Sequence, residues 1–538
     1  MLLEILERIR KPAAAVLLSW AILLNLRFFV SAGPLWRDEA NSVQQACLPG
    51  WNSVVDSLQY DPFPVLYPAV LRVWTSIPLL AGDPALRVMG LLTGLALLIS
   101  ICLVCRLFGS RLPVVALVLA GVDPVLISEA CSIRPYGLTL VALLWAFAAH
   151  GMCLMRYSRR WLLVASIASI FAVQLSYSSA FFIAAFGLTA AGLALRQRER
   201  QLALSVLVPG IVAALTLLPY LPAIQRASSW VVLLHYRVDW MQFFASYAKE
   251  HTPVLPLIWI MFLALACVTV FLRRQRGTSS PPAPASARYA TGVAALALVS
   301  QVAFVELMKV PPFPRYFLPV LLFIAIALQL LFDRAPRTSH VVLAVMALLL
   351  TAWPAWSWLG LRRTNMDRVA LVLGREARAE DLIILSPWFL HPSFQRYYTG
   401  PAGWITVPEL PASPITRYDL FMKAMFRNVS AGDLAARITN TLRRGGRLWL
   451  VCQEIGYVPD AGHQPEAPSP PARVSGDDYV RYRSYWEREV WFLLKSCCRS
   501  QQLSVSASPR VWVEERLLLA LWSPGHRESE DRLKIQIK

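Results

Sequence analysis

Two adjacent carboxylates, Asp38 and Glu39 in the run Leu35-Trp-Arg-Asp-Glu-Ala-Asn41, follow directly on the first long apolar stretch of this 538-residue chain. Ionisable groups beside hydrocarbon are costly to place, so carboxylates at such a position point first to chemistry. A transfer reaction needs a base to take a proton from an acceptor hydroxyl, and Asp38 suits that role. The plainer reading is a helix cap, because acids favour the first turn of a helix. Further along, Tyr60-Asp-Pro-Phe-Pro-Val-Leu-Tyr67 carries Asp61 and Tyr67 between prolines that impose extended or turn geometry.

Two other runs place cations where an anion would be held. In Ser128-Glu-Ala-Cys-Ser-Ile-Arg-Pro-Tyr136, proline orders Arg134, whose guanidinium can grip a phosphate with two parallel hydrogen bonds. Tyr136 stands beside it, and Glu129 offers an alternative, an ion pair closing a tight loop. In Lys309-Val-Pro-Pro-Phe-Pro-Arg-Tyr-Phe317, Lys309 and Arg315 flank three prolines in a rigid, positive turn. Lipid headgroups or snorkelling to the interface would also explain these cations. Lys249-Glu-His251 is a weaker element, and Trp388, His391 and Arg396-Tyr-Tyr398 are candidate acceptor contacts in a region where most aromatics build a core.

The elements that must position these residues are mostly membrane spans. The chain is 56% hydrophobic and only 16% charged, against about 45–50% and about 25% in soluble domains. About eleven apolar runs are long enough to cross a bilayer: 13–32, 86–107, 112–128, 136–155, 161–177, 179–195, 203–222, 254–272, 290–308, 316–332 and 340–360. The prolines and Arg72 in Pro64–Leu80 mark that stretch as interfacial or re-entrant.

The net charge of +19 could suggest nucleic acid, but its distribution argues for membrane topology. Alternate loops are short and Arg-rich: Leu3–Lys11, Arg106–Arg111, Arg156–Arg160, Arg196–Arg200, Arg273–Arg276 and Asp333–Arg337. These belong in the cytoplasm, which leaves 33–85, 129–135, 223–253 and 309–315 outside. An odd number of spans then puts the N-terminus inside and the tail outside. The first apolar run is long for a cleaved signal sequence, so an uncleaved helix is expected.

The domains expected are a transmembrane part over 1–361, including a structured outer loop 33–85, and a small α/β domain over 362–538. In the latter, Leu382–Leu385, Arg447–Cys452, Trp491–Leu494 and Leu517–Trp522 read as buried strands, with helices over Asp367–Ala379 and Ala431–Arg444. Nine cysteines without metal-ligand spacing argue against zinc. An extracytoplasmic disulfide from Cys452 to Cys497 or Cys498 is compatible with the sequence.

Taken in order, Arg37-Asp-Glu-Ala40, Asp61-Pro-Phe-Pro-Val-Leu-Tyr67, Ser128–Tyr136, Pro314-Arg-Tyr-Phe317 and Ser386-Pro-Trp…Tyr397-Tyr398 resemble the GT-C glycosyltransferases that use polyprenyl-phosphate sugars. Protein O-mannosyltransferases (glycosyltransferase family 39) and the lipid A aminoarabinose transferase belong to this group. The resemblance covers essentially the whole chain and implies a GT-C fold. It implies that Asp38, helped by Glu39, is the base and that Arg134 and Arg315, with Lys309 and Tyr136, hold the donor phosphate. Asp61, Tyr67 and Glu129 would then belong to the substrate loops.

Many relatives carry a His before the first-loop prolines where this chain has Asp61, so contacts made by that His do not carry over. Some of the wider superfamily use a divalent cation, for which Asp38 and Glu39 would be the ligands. The expected partners are a polyprenyl-phosphate sugar donor, a lipid, glycan or protein acceptor and the bacterial inner membrane, with no nucleic acid. Two readings compete: a polyprenyl-diphosphate glycan ligase or polymerase, and a transporter or flippase. The second predicts ionisable residues and broken helices at mid-membrane, whereas these spans are nearly free of acids.

Overall fold

The computed structural model describes residues 2–110, 112–235, 238–241, 258–264, 284–310, 312–333, 337–427, 431–454, 463–471, 474–505 and 510–524. Lys249-Glu-His251 and most of the expected span 254–272 lie outside these. The chain divides into two compact units. One holds the described residues of 1–31, 62–222 and 237–360; the other holds those of 32–61, 223–236 and 361–538. The sequence reading kept the loop 33–85 whole with the membrane part. Instead the chain changes unit after Asp61, and residues 32–61 belong with the C-terminal ones.

The first unit is helical. Seven helices among the described residues are long and apolar enough to cross a membrane: Ala14–Ser31, Asp83–Leu107, Tyr136–Met155, Ser179–Arg196, Arg200–Leu234, Ala285–Met308 and Pro314–Phe332. Arg159–Leu175 is one residue short of that length class at 17 residues, and Val345–Trp358 is a shorter apolar helix. Arg200–Leu234, whose residues from 223 on belong to the second unit, is a string of short helices, interrupted where prolines 209, 219 and 222 remove amide donors. Pro64–Leu80 becomes a ten-residue helix, Leu66–Thr75, and a short turn, too brief to span.

The expected crossing at 112–128 is corrected by the structure. A helical turn at Val114–Ala116 runs into a π-helix at Leu117–Gly121, and a separate helix, Pro124–Ala130, follows. Asp123 starts that last helix, its Oδ1 accepting from the Val125 and Leu126 amides at 2.9 and 3.0 Å. The backbone before the break is served by Gln329 from the Pro314–Phe332 helix. Its Oε1 accepts from the Val115 and Ala116 amides at 2.7 and 3.2 Å, and its Nε2 donates to the Leu112 carbonyl. Every residue from 113 to 135 is buried, which is the condition under which irregular backbone survives at membrane depth.

The second unit carries a five-stranded mixed sheet: β1 (Leu382–Ser386), β2 (Gly403–Thr406), β3 (Leu448–Gln453), β4 (Cys498–Val505) and β5 (Leu517–Pro524), in the order β2-β1-β3-β5-β4. The first three strands are parallel and β5 is antiparallel to both its neighbours. β1, β3 and β5 fall on the apolar runs read as strands, while β2 and β4 had no such run to mark them.

Trp491–Leu494, also expected as a strand, lies inside the helix Gly476–Cys497. Tyr479, Tyr482, Trp486, Val490, Leu493 and Cys497 form one buried face of that helix. The four-residue apolar run is therefore a local widening of a helical stripe. Ser475 and Asp478 cap its start reciprocally: the Ser475 hydroxyl accepts from the Asp478 amide, and the Asp478 carboxylate from the Ser475 amide.

Cys452, Cys497 and Cys498 are free thiols. Cys452 pairs across to Leu518 and Cys498 to Pro524 on opposite sides of β5. That leaves them two strands, about 10 Å, apart laterally and roughly 20 Å apart along the sheet, beyond a disulfide's reach.

Asp381, at the head of β1, ties the parallel strands together. Its carboxylate accepts from the Arg447 amide at 2.8 Å, the Arg447 guanidinium at 2.9 Å and the Trp449 indole at 3.0 Å. Burial acts to raise this carboxyl, but the hydrogen bonds from Arg447, the Arg378 amide and Trp449 outweigh it and hold it below the usual aspartate value. A depressed folded value means stability present above the unfolded pKa and lost as pH falls through the folded one. Asp381→Asn is expected to cost about 1–3 kcal/mol near neutral pH. The gap in unfolding midpoint from wild type, followed by tryptophan fluorescence, should close as pH drops below about 3.9.

Candidate active site

The acidic residues lie in the second unit, on the helix Arg37–Ala46. Glu39 is fully buried and its Oε2 accepts from the Trp36 amide at 3.2 Å, which satisfies one of the helix's orphan donors. Asp38 keeps 30% of its side chain exposed, 3.6 Å from the Arg37 guanidinium. The two carboxylates therefore differ in setting: Glu39 caps, and Asp38 is partly exposed beside a guanidinium.

The helix is fastened along its length to the rest of this unit. The Leu35 amide donates to the Tyr397 hydroxyl at 2.6 Å. The Gln44 side chain donates through Nε2 to the Pro392 carbonyl at 2.9 Å, and Asn41 Oδ1 accepts from the Thr416 amide at 2.7 Å. Trp36 meets Trp512 edge-on at 5.5 Å, and the guanidinium of Arg363 lies over both rings, at 5.0 and 4.2 Å.

Sequence reasoning missed Glu515. It is fully buried, and its two oxygens accept from the Arg37 amide at 3.1 and 3.2 Å while Oε1 also accepts from the Ser393 hydroxyl at 3.1 Å. Burial pushes this carboxyl up to about 8, against the pull of Arg37 and its hydrogen bonds; Asp38 adds a like charge. The available signal was the acidic pair in Trp512-Val-Glu-Glu-Arg-Leu517, set directly before an apolar strand.

Asp61 is also in this unit, buried, with its amide donating to the Leu58 carbonyl at 3.4 Å. Among the tail residues considered as acceptor contacts, Trp388 is buried and stacks on Phe421, and both His391 ring nitrogens lie within 3.2 Å of backbone carbonyls. They build the core.

The cationic residues lie in the first unit. The Arg134 guanidinium sits 4.8 Å over the Phe63 ring, which meets Tyr136 edge-on at 5.6 Å. The Tyr136 hydroxyl is within electrostatic reach of Arg315, Arg134, Tyr316 and Glu129. Arg315 itself lies 4.4 Å over Phe313. Four of the expected residues, Arg134, Tyr136, Arg315 and Glu129, are thus brought together.

Lys309 is not tied to this group. It ends the helix Ala285–Met308 at φ 50°, exposed. Tyr67 is buried on Leu66–Thr75. A further cation, Arg87, is buried near the start of the Asp83–Leu107 helix, within electrostatic reach of Cys131. Counting it as part of an apolar span hid it.

Glycines seat the loop that carries Arg134. A Cβ on Gly90 would overlap the Cys131 carbonyl, one on Gly94 the Cys131 sulfur and Asn25, and one on Gly137 the Ala130 carbonyl. The loop's own groups are used internally: Ser132 donates to the Glu129 carbonyl at 2.7 Å and Cys131 to Asn25 at 3.2 Å.

A divalent cation does not fit the acidic cluster as built. Among the described residues no three His, Cys, Asp or Glu side chains gather to hold one. Glu39 is engaged by the Trp36 amide, and Arg37 occupies the space among Asp38, Glu514 and Glu515.

The molecule so described is a multispanning helical membrane protein with a mixed-sheet α/β unit. No protein-family model and no curated protein matches the sequence. Among solved structures, ArnT from Cupriavidus metallidurans bound to undecaprenyl phosphate is similar over 94% of this chain and 97% of that chain, with a TM-score of 0.46 and 13% identity.

Two outcomes follow from the geometry. Gly137→Ala and Gly90→Ala should each destabilise the protein by about 1–3 kcal/mol through overpacking, read as a lowered melting temperature in detergent. Gly192→Ala, with nothing near its Cβ position, should leave it unchanged or slightly raised. For Glu515, the folded chain keeps a proton that the unfolded chain has lost, so stability must fall as pH rises from about 4.3 toward its folded value. Melting temperature measured between about pH 5 and 8 should decline more steeply in wild type than in Glu515→Gln.

Proposed function

We propose that this protein is an integral-membrane glycosyltransferase that moves a sugar from a polyprenyl-phosphate donor to an acceptor hydroxyl. The observation that carries the reading is the gathering of Arg134 and Arg315 around Tyr136 at the ends of apolar helices, with Arg134 over Phe63. Like charges are costly to bring together in a poorly solvated place, and a phosphate at the head of a lipid offsets that cost. Arg134 and Arg315 hold the donor phosphate and stabilise the charge that develops as the glycosidic bond breaks, so the leaving group needs no proton. Asp38 takes the proton of the acceptor hydroxyl. A single carboxylate base implies one displacement and inversion at the anomeric carbon, by analogy with glycoside hydrolysis.

The acceptor is a lipid, glycan or protein hydroxyl. The Arg-rich loops favour a bacterial inner membrane, with the N-terminus in the cytoplasm and the chemistry on the outer face. The motif resemblance across the chain supports the same reaction class.

Transfer from labelled polyprenyl-phosphate sugars, in membranes expressing the protein, tests this. Asp38→Asn should lower the rate by about 10²–10⁴-fold with insertion unchanged, and Arg134→Ala should weaken use of the donor. Equal transfer by wild type and Asp38→Asn would remove Asp38 from the chemistry. Transfer only from diphosphate-linked oligosaccharides would replace the reading with a glycan ligase.

A further inference from the structure

Asp38 can act as a base only if its carboxyl is presented in one direction, and it is the second residue of its helix. The first amides of a helix have no partner inside it and must be held from elsewhere. Here the Arg37 amide, one peptide unit ahead of Asp38, is held by both oxygens of Glu515 at 3.1 and 3.2 Å. Glu515 is itself fixed. It closes the turn Val513–Glu515 leading into β5, and the Ser393 hydroxyl donates to it at 3.1 Å.

We infer that Glu515 is a positioning residue for Asp38, its carboxyl group locking the first turn of the Arg37–Ala46 helix and so the direction of the Asp38 carboxyl. The inference rests on the reading of Asp38 as the base. A fully buried carboxyl beside another carboxyl is an expensive way to hold one amide, since a neutral acceptor would serve at lower cost. The charged groups facing Glu515 are Arg37 and Asp38.

The guanidinium of Arg37 lies 3.6 Å from Asp38 and 3.9 Å from Glu514, and 4.6 Å over the Phe389 ring. Glu515 thus holds the main chain of the residue whose side chain lies against Asp38. Asn41 and Gln44 secure the middle and end of the helix, and Glu515 is the anchor at the turn that matters. This gives the C-terminal residues a part in the reaction that their sheet alone does not suggest.

The test uses the full-length protein in lipid nanodiscs, with Asp38→Asn assayed in parallel. Glu515→Ala should lower kcat by about 10–100-fold while the KM for the polyprenyl-phosphate sugar stays within about twofold. Glu515→Gln, which retains an acceptor for the Arg37 amide, should recover most of the rate. Hydrogen–deuterium exchange of amides 37–41 should speed up in Glu515→Ala and not in Glu515→Gln. If Glu515→Ala does not fold, Glu515→Asp, with its carboxyl withdrawn by one methylene, should show the same loss of kcat in a folded protein. Wild-type kcat in these variants while Asp38→Asn is inactive would overturn the inference and leave the base assignment standing. Full activity of Asp38→Asn would overturn the base assignment itself. Unchanged exchange at 37–41 in Glu515→Ala would overturn the anchoring claim whatever the transfer assay reads.

Discussion

A peptide backbone that leaves helical geometry within hydrocarbon must find every hydrogen bond inside the protein. The segment from 113 to 135 meets that demand through burial along its whole length and through one side chain, Gln329, which reaches from a neighbouring helix to the Val115 and Ala116 amides. Asp123 supplies the same service after the break. The loop bearing Arg134 is the end of this segment. Its seat depends on glycines at 90, 94 and 137 that let carbonyl and sulfur atoms come where a Cβ would stand. The cationic group is therefore only as well placed as these buried polar contacts make it.

The acidic residues obey a different economy of space. Asp38, Glu39 and Glu515 are all carboxylic acids, yet the unit treats each differently. Glu39 is buried as a cap, Glu515 is buried as an anchor, and Asp38 retains access to solvent beside a guanidinium. Distinct environments for identical groups are how one small region assigns separate roles to them. Arg37 links two of them and a third acid: its amide meets Glu515, and its guanidinium meets Asp38 and Glu514.

Much of this was legible in the residues, for physical reasons. Hydropathy marks spans because a bilayer has a fixed thickness, and the runs around 86–107, 136–155 and 316–332 became helices of nearly those bounds. The break at 123–124 was legible too, in an Asp-Pro dipeptide inside an apolar run, but length and hydropathy outvoted it. Trp491–Leu494 misled because a run of four cannot show whether its period is two or 3.6; the answer lay in the tyrosines upstream. Glu515 was illegible for another reason. Its role comes from contact with a residue far away in sequence, and nothing in its local run names that partner. Lys309 shows the converse, a cation whose context looked right and whose place, exposed at a helix end, ties it to none of the other cations.

The bond between Glu515 and the Arg37 amide joins residues 478 positions apart. During synthesis the acidic helix emerges early, yet its anchor cannot be made until residue 515 has been added. At the usual pace of about 5–20 residues per second, the interval is roughly 20–100 s. Over that time the helix must persist, with the Arg37 amide unheld, outside the structure that will receive it. A chain wired in this way cannot finish its acidic region before residue 515 is made, so a product terminated earlier would present Asp38 without its lock.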